Sequence, residues 1–151
     1  MSSWQEFAAE ASDLAERVEG LFRAYKHHTM ATLRLDGSPR ISGTEVSLDD
    51  GQLLLGMMSG TRRAADLRRD PRLAIHSHTV DPPEGDPASW VGDAKITGRA
   101  IELPAGSRSP EGSEWFMVDV GEVVLTTMGD PADHLVIESW KSGCGRKTQR
   151  R

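Results

Sequence analysis

The chain has 151 residues, a formal net charge of −5 and a hydrophobic fraction of 37%. This length is typical of one domain with a sizeable core, and the negative charge argues against a nucleic-acid partner. No apolar run is long enough to span a membrane as a helix, and the N-terminus lacks the features of a signal peptide. The single cysteine, Cys144, excludes an internal disulfide, so we expect a cytoplasmic protein.

The N-terminal segment, residues 1–26, is predicted to be helical. Ser3 and Glu6 have the spacing of a capping box, in which each side chain bonds the backbone N–H of the other residue. Ser12 and Asp13 are able to start a second helix, so one long helix and two shorter ones both fit. Apolar residues recur at helical spacing, namely Phe7, Leu14, Val18, Leu21, Phe22 and Tyr25.

A meander of three antiparallel strands is predicted to follow, because apolar and polar residues alternate between turn signals. Asp36-Gly37 favours a type I′ turn, in which both central residues have positive φ. Asp49-Asp50-Gly51 marks the second turn. The three strands are predicted over 28–35, 40–46 and 52–58.

A short helix, RRAADLRRD, is predicted after Ser59-Gly60-Thr61 and ends before Pro71. Two segments rich in Pro, Gly and Ser, 79–92 and 104–114, are predicted to be loops. The remaining strands are predicted over 72–78, 93–103, 115–128 with a bulge at Gly121, and 134–140. About seven short antiparallel strands with an N-terminal helix and one crossover helix indicate a mainly β protein, a β-barrel with helical additions.

Two arginines, Arg62 and Arg63, fall in the first turn of the short helix. A helix N-terminus has free N–H groups and a partial positive charge, so cations there cost about a few tenths of a kcal/mol. A bound anion would reverse the sign of that cost, because the N–H groups and two guanidinium groups together form a phosphate site. The alternative is that both arginines are solvated surface residues.

The C-terminal segment WKSGCGRKTQRR combines an aromatic residue with several cations. Trp140 could pack against an aromatic ligand, and Arg146 or Arg150 could bind a phosphate or carbonyl oxygen. The alternative is a core tryptophan followed by a frayed basic tail.

No motif for a metal or nucleophile site stands out. His76 and His78 alternate on one strand, but no nearby cysteine or carboxylate completes a metal site. The sequence contains no Rossmann fingerprint, P-loop or nucleophile elbow. Catalytic residues are therefore not identified.

The order of elements and motifs resembles the pyridoxamine 5′-phosphate oxidase-like superfamily, also called the FMN-binding split barrel. The segments that carry the resemblance are ATLRLDGSPRISGTEV, LLLGMMSGTRRAADLRRDPRLAIHS, DAKITGRAIEL and the Trp140, Arg146 and Arg150 motif. The resemblance implies an antiparallel split barrel over residues 27–151, with 1–26 as a helical segment of the same single domain. The DLRRDPR phrase looks like the actinobacterial flavin/deazaflavin oxidoreductase branch.

In this family the flavin lies at a dimer interface. The resemblance therefore implies a homodimer that binds FMN, or the deazaflavin coenzyme F(420), together with a small-molecule substrate. Arg40 is expected to face the flavin, and Trp140 and Arg150 to contact it. The residues that the resemblance places at the cofactor are Arg40, Gly56, Met57, Arg62, Arg63, Asp93, Trp140, Arg146 and Arg150.

Two of these expectations concern particular parts of the cofactor. The backbone at Gly56 and Met57 would line the flavin ring, and Arg62 and Arg63 would bind the phosphate. Asp93 stands where the oxidases have a glutamine from the partner subunit.

The sequence also departs from the oxidases. Glu45 stands where they have a lysine, Thr148 stands where they have a substrate-contacting histidine, and their Tyr-x3-Arg-x3-Ser cluster has no counterpart. Formation of pyridoxal phosphate is therefore not expected. The leading hypothesis is hydride transfer to or from an unknown small molecule through a bound flavin or deazaflavin.

The alternative hypothesis is a protein that binds or sequesters a cofactor or haem without turnover. Loss of the oxidase substrate residues favours it. Haem would need an axial ligand, for which the candidates are His27, His28, His76 and His78.

Overall fold

The computed structural model describes residues 2–108 and 110–151. It begins with two helices, α1 (Trp4–Glu10) and α2 (Ser12–Ala24), which meet at Ala11. The predicted capping box is confirmed, because Ser3 Oγ accepts the Glu6 N–H at 3.1 Å and Glu6 accepts the Ser3 N–H at 2.6 Å. Ala11 has φ −145° and ψ 57°, which breaks the helix there. The two-helix alternative is therefore the correct one.

The described residues also form a third helix, α3 (Arg62–Arg69), and eight strands. The strands are β1 (His27–Leu33), β2 (Pro39–Asp49), β3 (Gln52–Met58), β4 (Arg72–His76), β5 (Asp93–Glu102), β6 (Ser113–Met128), β7 (Leu135–Lys141) and β8 (Gly145–Arg150). Their order is β3-β2-β1-β4-β5-β6-β7-β8, and a further β3–β6 pairing closes the first six into a barrel. All pairings are antiparallel, so the predicted mainly β barrel with helical additions is confirmed.

The first hairpin turn differs from the prediction. Gly37 has φ 83°, but Asp36 does not have a positive φ. The Arg34 N–H donates to the Ser38 carbonyl at 2.8 Å, which closes a three-residue loop with glycine in the left-handed position. The predicted type I′ turn at Asp36-Gly37 is therefore wrong. The second turn has the type I′ signs, since Asp50 has φ 50° and Gly51 has φ 71°.

Strand β6 pairs with three strands, β3, β5 and β7, and it contains the predicted bulge. Thr97 pairs with Glu122 and Gly98 pairs with Val120, which leaves Gly121 as the extra residue. A bulge bends its strand and increases the local twist. The first residues of β6 pair with β3 to close the barrel, whereas its last residues pair with β7.

The C-terminal tail is not frayed. Residues Gly145–Arg150 form β8, which pairs with β7 from Lys141 to Val136. The basic tail is therefore part of the sheet, as an extension outside the closed barrel. Cys144 lies exposed in the preceding turn.

One hydrophobic cluster joins the barrel interior to the N-terminal helices. The Phe7 ring lies 5.0 Å from the Trp140 ring, measured between centroids, and both side chains are buried. The helical segment and the barrel thus share a core. No helix within the described residues is both long and apolar enough to cross a membrane.

Candidate functional site

A cleft of about 600 Å³ lies on the outer surface of the barrel. Its floor comes from β1, β2, β3 and β6, and one end reaches the start of α3. The loop before β6 contributes Glu111 and Gly112 to its rim. The lining residues that bear on its chemistry are His27, Gly43, Glu45, Gly56, Ser59, Arg63 and Trp115.

Four of these residues form one row across four neighbouring strands. Trp115 on β6 pairs with Gly56 on β3, Gly56 pairs with Glu45 on β2, and Glu45 pairs with His27 on β1. Neighbouring strands lie about 4.8 Å apart, so the row spans roughly 14 Å. The register therefore sets an indole, a glycine, a carboxylate and an imidazole in sequence along the floor.

The indole of Trp115 covers Gly56. A Cβ atom on Gly56 would lie 2.6, 2.7 and 2.9 Å from three carbons of the benzo ring, so the indole fills the space that a side chain would take. The indole N–H donates to Ser113 Oγ at 2.7 Å, and the Arg108 guanidinium lies over the ring at 5.1 Å from its centroid. These contacts fix the indole on two sides.

Trp115 is not among the site residues predicted from the sequence. Local alternation places it at the start of a strand, but the β3–β6 closure that brings it beside Gly56 joins residues about 60 positions apart. The sequence feature that indicates a binding role for Trp115 is its position as a tryptophan on the outward-facing side of a predicted strand.

The basic end of the cleft is Arg63 at the start of α3. Its Nε atom is buried and has no hydrogen-bond partner in the part of the chain that the structure describes. Thr61 caps the helix by accepting the Ala64 N–H at 3.4 Å, whereas Arg62 is exposed beside the cleft. Helix geometry leaves the N–H groups of the first turn without intrahelical partners. This end is thus suited to an anion.

Arg40 holds α3 against the barrel instead of lining the cleft. Its Nε donates to Asp66 Oδ2 at 2.7 Å, and Asp66 also accepts hydrogen bonds from Thr32 and Arg69. Burial alone would raise the pKa of Asp66, but the hydrogen bonds from Arg40, Thr32 and Arg69 outweigh it and hold the pKa below its ordinary value. Asp66 is only 2% exposed, and these hydrogen bonds favour the ionised form of the carboxylate in spite of its burial.

Asp93, at the start of β5, does not line the cleft of its own chain. Its Oδ2 lies 3.6 Å from His76 Nε2, and its Oδ1 is buried without a partner among residues 2–108 and 110–151. His76 Nδ1 lies 2.6 Å from the Ser77 carbonyl oxygen. The pair is therefore a separate polar feature on the outer face of the barrel.

The C-terminal candidates also lie away from the cleft. Trp140 is 1% exposed, and its indole N–H donates to Glu10 at 2.8 Å. Arg146 bonds Asp13 at 2.6 Å, and this hydrogen bond raises the pKa of the arginine. Arg150 is exposed on β8. Of the nine predicted cofactor residues, the cleft thus brings together Gly56, Met57 and Arg63, with Arg62 adjacent.

The histidines have distinct environments. His28 is 3% exposed, with Nε2 at 2.9 Å from the Tyr25 carbonyl and Nδ1 accepting the His78 N–H at 3.0 Å. Burial is the main cause that lowers the pKa of His28, so this ring is neutral. His78 stacks on Tyr25 with 4.1 Å between ring centroids. Of the four candidates, only His27 lines the cleft, and the described residues contain no group of three or more metal ligands.

No protein-family model matches the chain, and no curated protein sequence matches it either. Solved structures do match. PhzG from Burkholderia lata 383, in complex with tetrahydrophenazine-1-carboxylic acid, is 13% identical with a TM-score of 0.65, and the match covers 96% of this chain and 91% of that one. This similarity extends over nearly the whole barrel and the helices that precede it.

Two further matches have related descriptions. A predicted pyridoxamine 5′-phosphate oxidase from Listeria innocua is 10% identical with a TM-score of 0.58, over 73% of this chain and 95% of that one. An F(420) reductase is 14% identical with a TM-score of 0.54, over 70% of this chain and 94% of that one. Haem-binding proteins are also among the matches. At these identities the likeness concerns the fold, and at that level the split barrel predicted from the sequence is confirmed.

Proposed function

We propose that this protein binds a flavin or deazaflavin in the cleft and transfers hydride to or from a small molecule. The observation that carries the proposal is the Arg63 side chain, whose buried Nε has no hydrogen-bond partner among the described residues and lies at the end of the cleft where α3 begins. The split-barrel fold is shared with a structure described as an F(420) reductase, which supports this class of cofactor.

The phosphate of the cofactor would bind at the start of α3. Arg62, Arg63 and the first N–H groups of the helix supply the donors, and Ser59 lies at the same end of the cleft. Hydrogen bonds to charged groups contribute about 1.5 to 3 kcal/mol each. A phosphate would also accept a hydrogen bond from the buried Nε of Arg63, which has no partner within residues 2–108 and 110–151.

The ring would lie along the row from Trp115 to His27, whose length of roughly 14 Å suits a fused planar ring system. When bound, the cofactor supplies the hydride chemistry. This chain contributes binding and orientation, with Gly43, Glu45 and Met57 at the floor of the cleft. Glu45 in the place of the oxidase lysine argues against pyridoxal phosphate formation.

We also propose a homodimer. The outer face of the barrel carries Ile41, which is 75% exposed, in cross-strand register with Ala31 and then Ala74. Apolar residues on an exposed sheet face favour contact with another chain. His76 and Asp93 lie on this same side of the barrel, so the dimer would place Asp93 near the interface, where its Oδ1, which has no partner in the described part of the chain, could accept a hydrogen bond.

The test of the proposed function is direct. The purified protein is examined by absorbance for a copurifying chromophore, and the apo protein is then titrated with FMN and with coenzyme F(420) separately. We expect a dissociation constant below about 100 μM for at least one of them, equivalent to about −5.5 kcal/mol. Failure of both to bind would refute the proposal.

A second candidate is non-catalytic haem binding, and His27 favours it. This residue is exposed, lines the cleft and follows directly after Lys26, a cation able to meet a carboxylate of the ligand. An imidazole is the common axial ligand of haem iron. A Soret band on addition of haem that disappears in His27→Ala would support this candidate. Turnover of an acceptor with reduced F(420) or NADPH would argue against it.

A further inference from the structure

Trp115 is the one large aromatic side chain among the described residues that line the cleft. Its position is set by the missing side chain of Gly56, directly across the β3–β6 pairing. An aromatic residue beside a glycine in an antiparallel pair shields the glycine backbone and pins the register. Here the same contact holds an indole at the edge of a ligand-sized cleft.

The indole is held before any ligand arrives. Its N–H donates to Ser113 Oγ at 2.7 Å, so the indole does not need a hydrogen-bond acceptor from a ligand. Gly56 lies against one face of the benzo ring, and the Arg108 guanidinium lies over the indole at 5.1 Å from its centroid, so a ligand ring that packs on the indole takes the place of this guanidinium. A rigid aromatic surface of this kind binds a planar partner at a low cost in conformational entropy.

We propose that Trp115 determines specificity for the ring of the ligand, as an aromatic wall against which a planar ring packs, and that Gly56 fixes the position of that wall. This inference rests on the proposed function and deepens it. It assigns ring recognition to the β3–β6 seam and phosphate recognition to the start of α3, so the two contributions are separable.

Two glycines that line the cleft provide a matched pair of variants for testing whether Gly56 fixes the position of Trp115. A methyl group on Gly56 would come within 2.6 Å of the indole, closer than real Cβ contacts, so the indole must move. A methyl group on Gly43 meets nothing within 4 Å. Both changes add the same atoms to the cleft floor, but only Gly56→Ala displaces Trp115.

The first experiment titrates FMN and riboflavin into the wild type, Trp115→Phe, Trp115→Leu and the double variant Arg62→Ala/Arg63→Ala. We expect Trp115→Phe to bind within about threefold of the wild type, and Trp115→Leu to bind both ligands about tenfold more weakly, as expected for loss of a stacking contact. The double arginine variant should weaken FMN alone. Wild-type affinity of Trp115→Leu for riboflavin would overturn the inference while leaving the proposed function intact.

The second experiment follows the indole itself. The chain has four tryptophans, so the difference in emission between the wild type and Trp115→Phe isolates the signal of Trp115. We expect FMN to quench this signal, and Gly56→Ala, but not Gly43→Ala, to change it in the apo protein. Unchanged emission in Gly56→Ala would show that Gly56 does not position the indole. If wild-type protein binds neither FMN nor riboflavin, both the proposed function and this inference fail.

Discussion

The guanidinium of Arg40 on β2 donates to the buried carboxylate of Asp66 on α3 at 2.7 Å. Asp66 is also bonded by Thr32 on β1 and by Arg69 one turn further along α3. A single ionised carboxylate thus ties the helix that begins the anion site to two strands of the barrel.

Replacement of Asp66 should strongly destabilise the fold. In Asp66→Asn, Arg40 would keep its charge in a half-buried position without a carboxylate, and breaking such a pair costs about 3 kcal/mol or more. Chemical denaturation measures this loss. The matched control is Asp13→Asn, which breaks the exposed pair with Arg146 and should leave the unfolding midpoint nearly unchanged. Equal midpoints for the two variants would contradict the role of Asp66.

Protonation of Asp66 at low pH should also reduce the stability of the fold. The folded pKa of Asp66 lies below its unfolded value of 3.8, so the folded state favours the ionised form. Its stabilisation is complete above that unfolded pKa and is lost as the pH falls through the lower folded pKa. We therefore expect unfolding free energy to fall less steeply below about pH 4 in Asp66→Asn than in the wild type. Parallel pH profiles would count against this assignment.

The buried imidazole of His28 should give the stability of the fold a second pH dependence, at a higher pH than that of Asp66. Burial lowers its folded pKa from 6.5, so between the folded pKa and 6.5 the unfolded state binds more protons. Stability is full above pH 6.5 and declines as the pH falls below it. His28→Gln should be less stable at pH 8 but should have a flatter profile between pH 7 and 5. His27→Gln, at an exposed position next to it, serves as the control and should retain the wild-type slope.

The arginine pair predicts selectivity for the phosphate of a ligand. Arg62→Ala/Arg63→Ala should weaken FMN binding by about a hundredfold or more, because two charge-assisted contacts of about 1.5 kcal/mol or more each are lost. Affinity for riboflavin should barely change. The apo melting temperature should stay level or rise slightly, since two cations leave a helix N-terminus. Calorimetric titration distinguishes these outcomes, and unchanged FMN affinity would place the anion site elsewhere.

The proposed homodimer predicts a mass of about twice 16.5 kDa by light scattering. Ile41→Glu should shift the protein towards monomer, because it adds a charge to the exposed sheet face. Leu35→Glu is the control, since Leu35 is 82% exposed but lies in the hairpin turn. A wild-type monomer at micromolar concentration, or dissociation by both variants, would refute the interface as assigned.

Features that depend only on neighbouring residues could be predicted from the sequence. The Ser3–Glu6 cap, the Asp50–Gly51 turn, the short helix after Thr61 and the extra residue at Gly121 all follow from local propensity and alternation. Even there the local signal has limits. Asp36-Gly37 has the composition of a type I′ turn, but the hairpin closes around Leu35 and Asp36 with glycine as the third loop residue.

The pairing of distant strands brings the cleft residues together and could not be predicted locally. Closure of the barrel between β3 and β6 places the Trp115 indole on Gly56, and the β1–β2–β3 register adds Glu45 and His27 to the same row. Packing of α1 buries Trp140, which the family resemblance places at the cofactor. The reason is physical: turns and caps are set by bonds within a few residues, whereas a cleft is set by pairings between distant strands, whose partners are fixed by closure of the whole sheet.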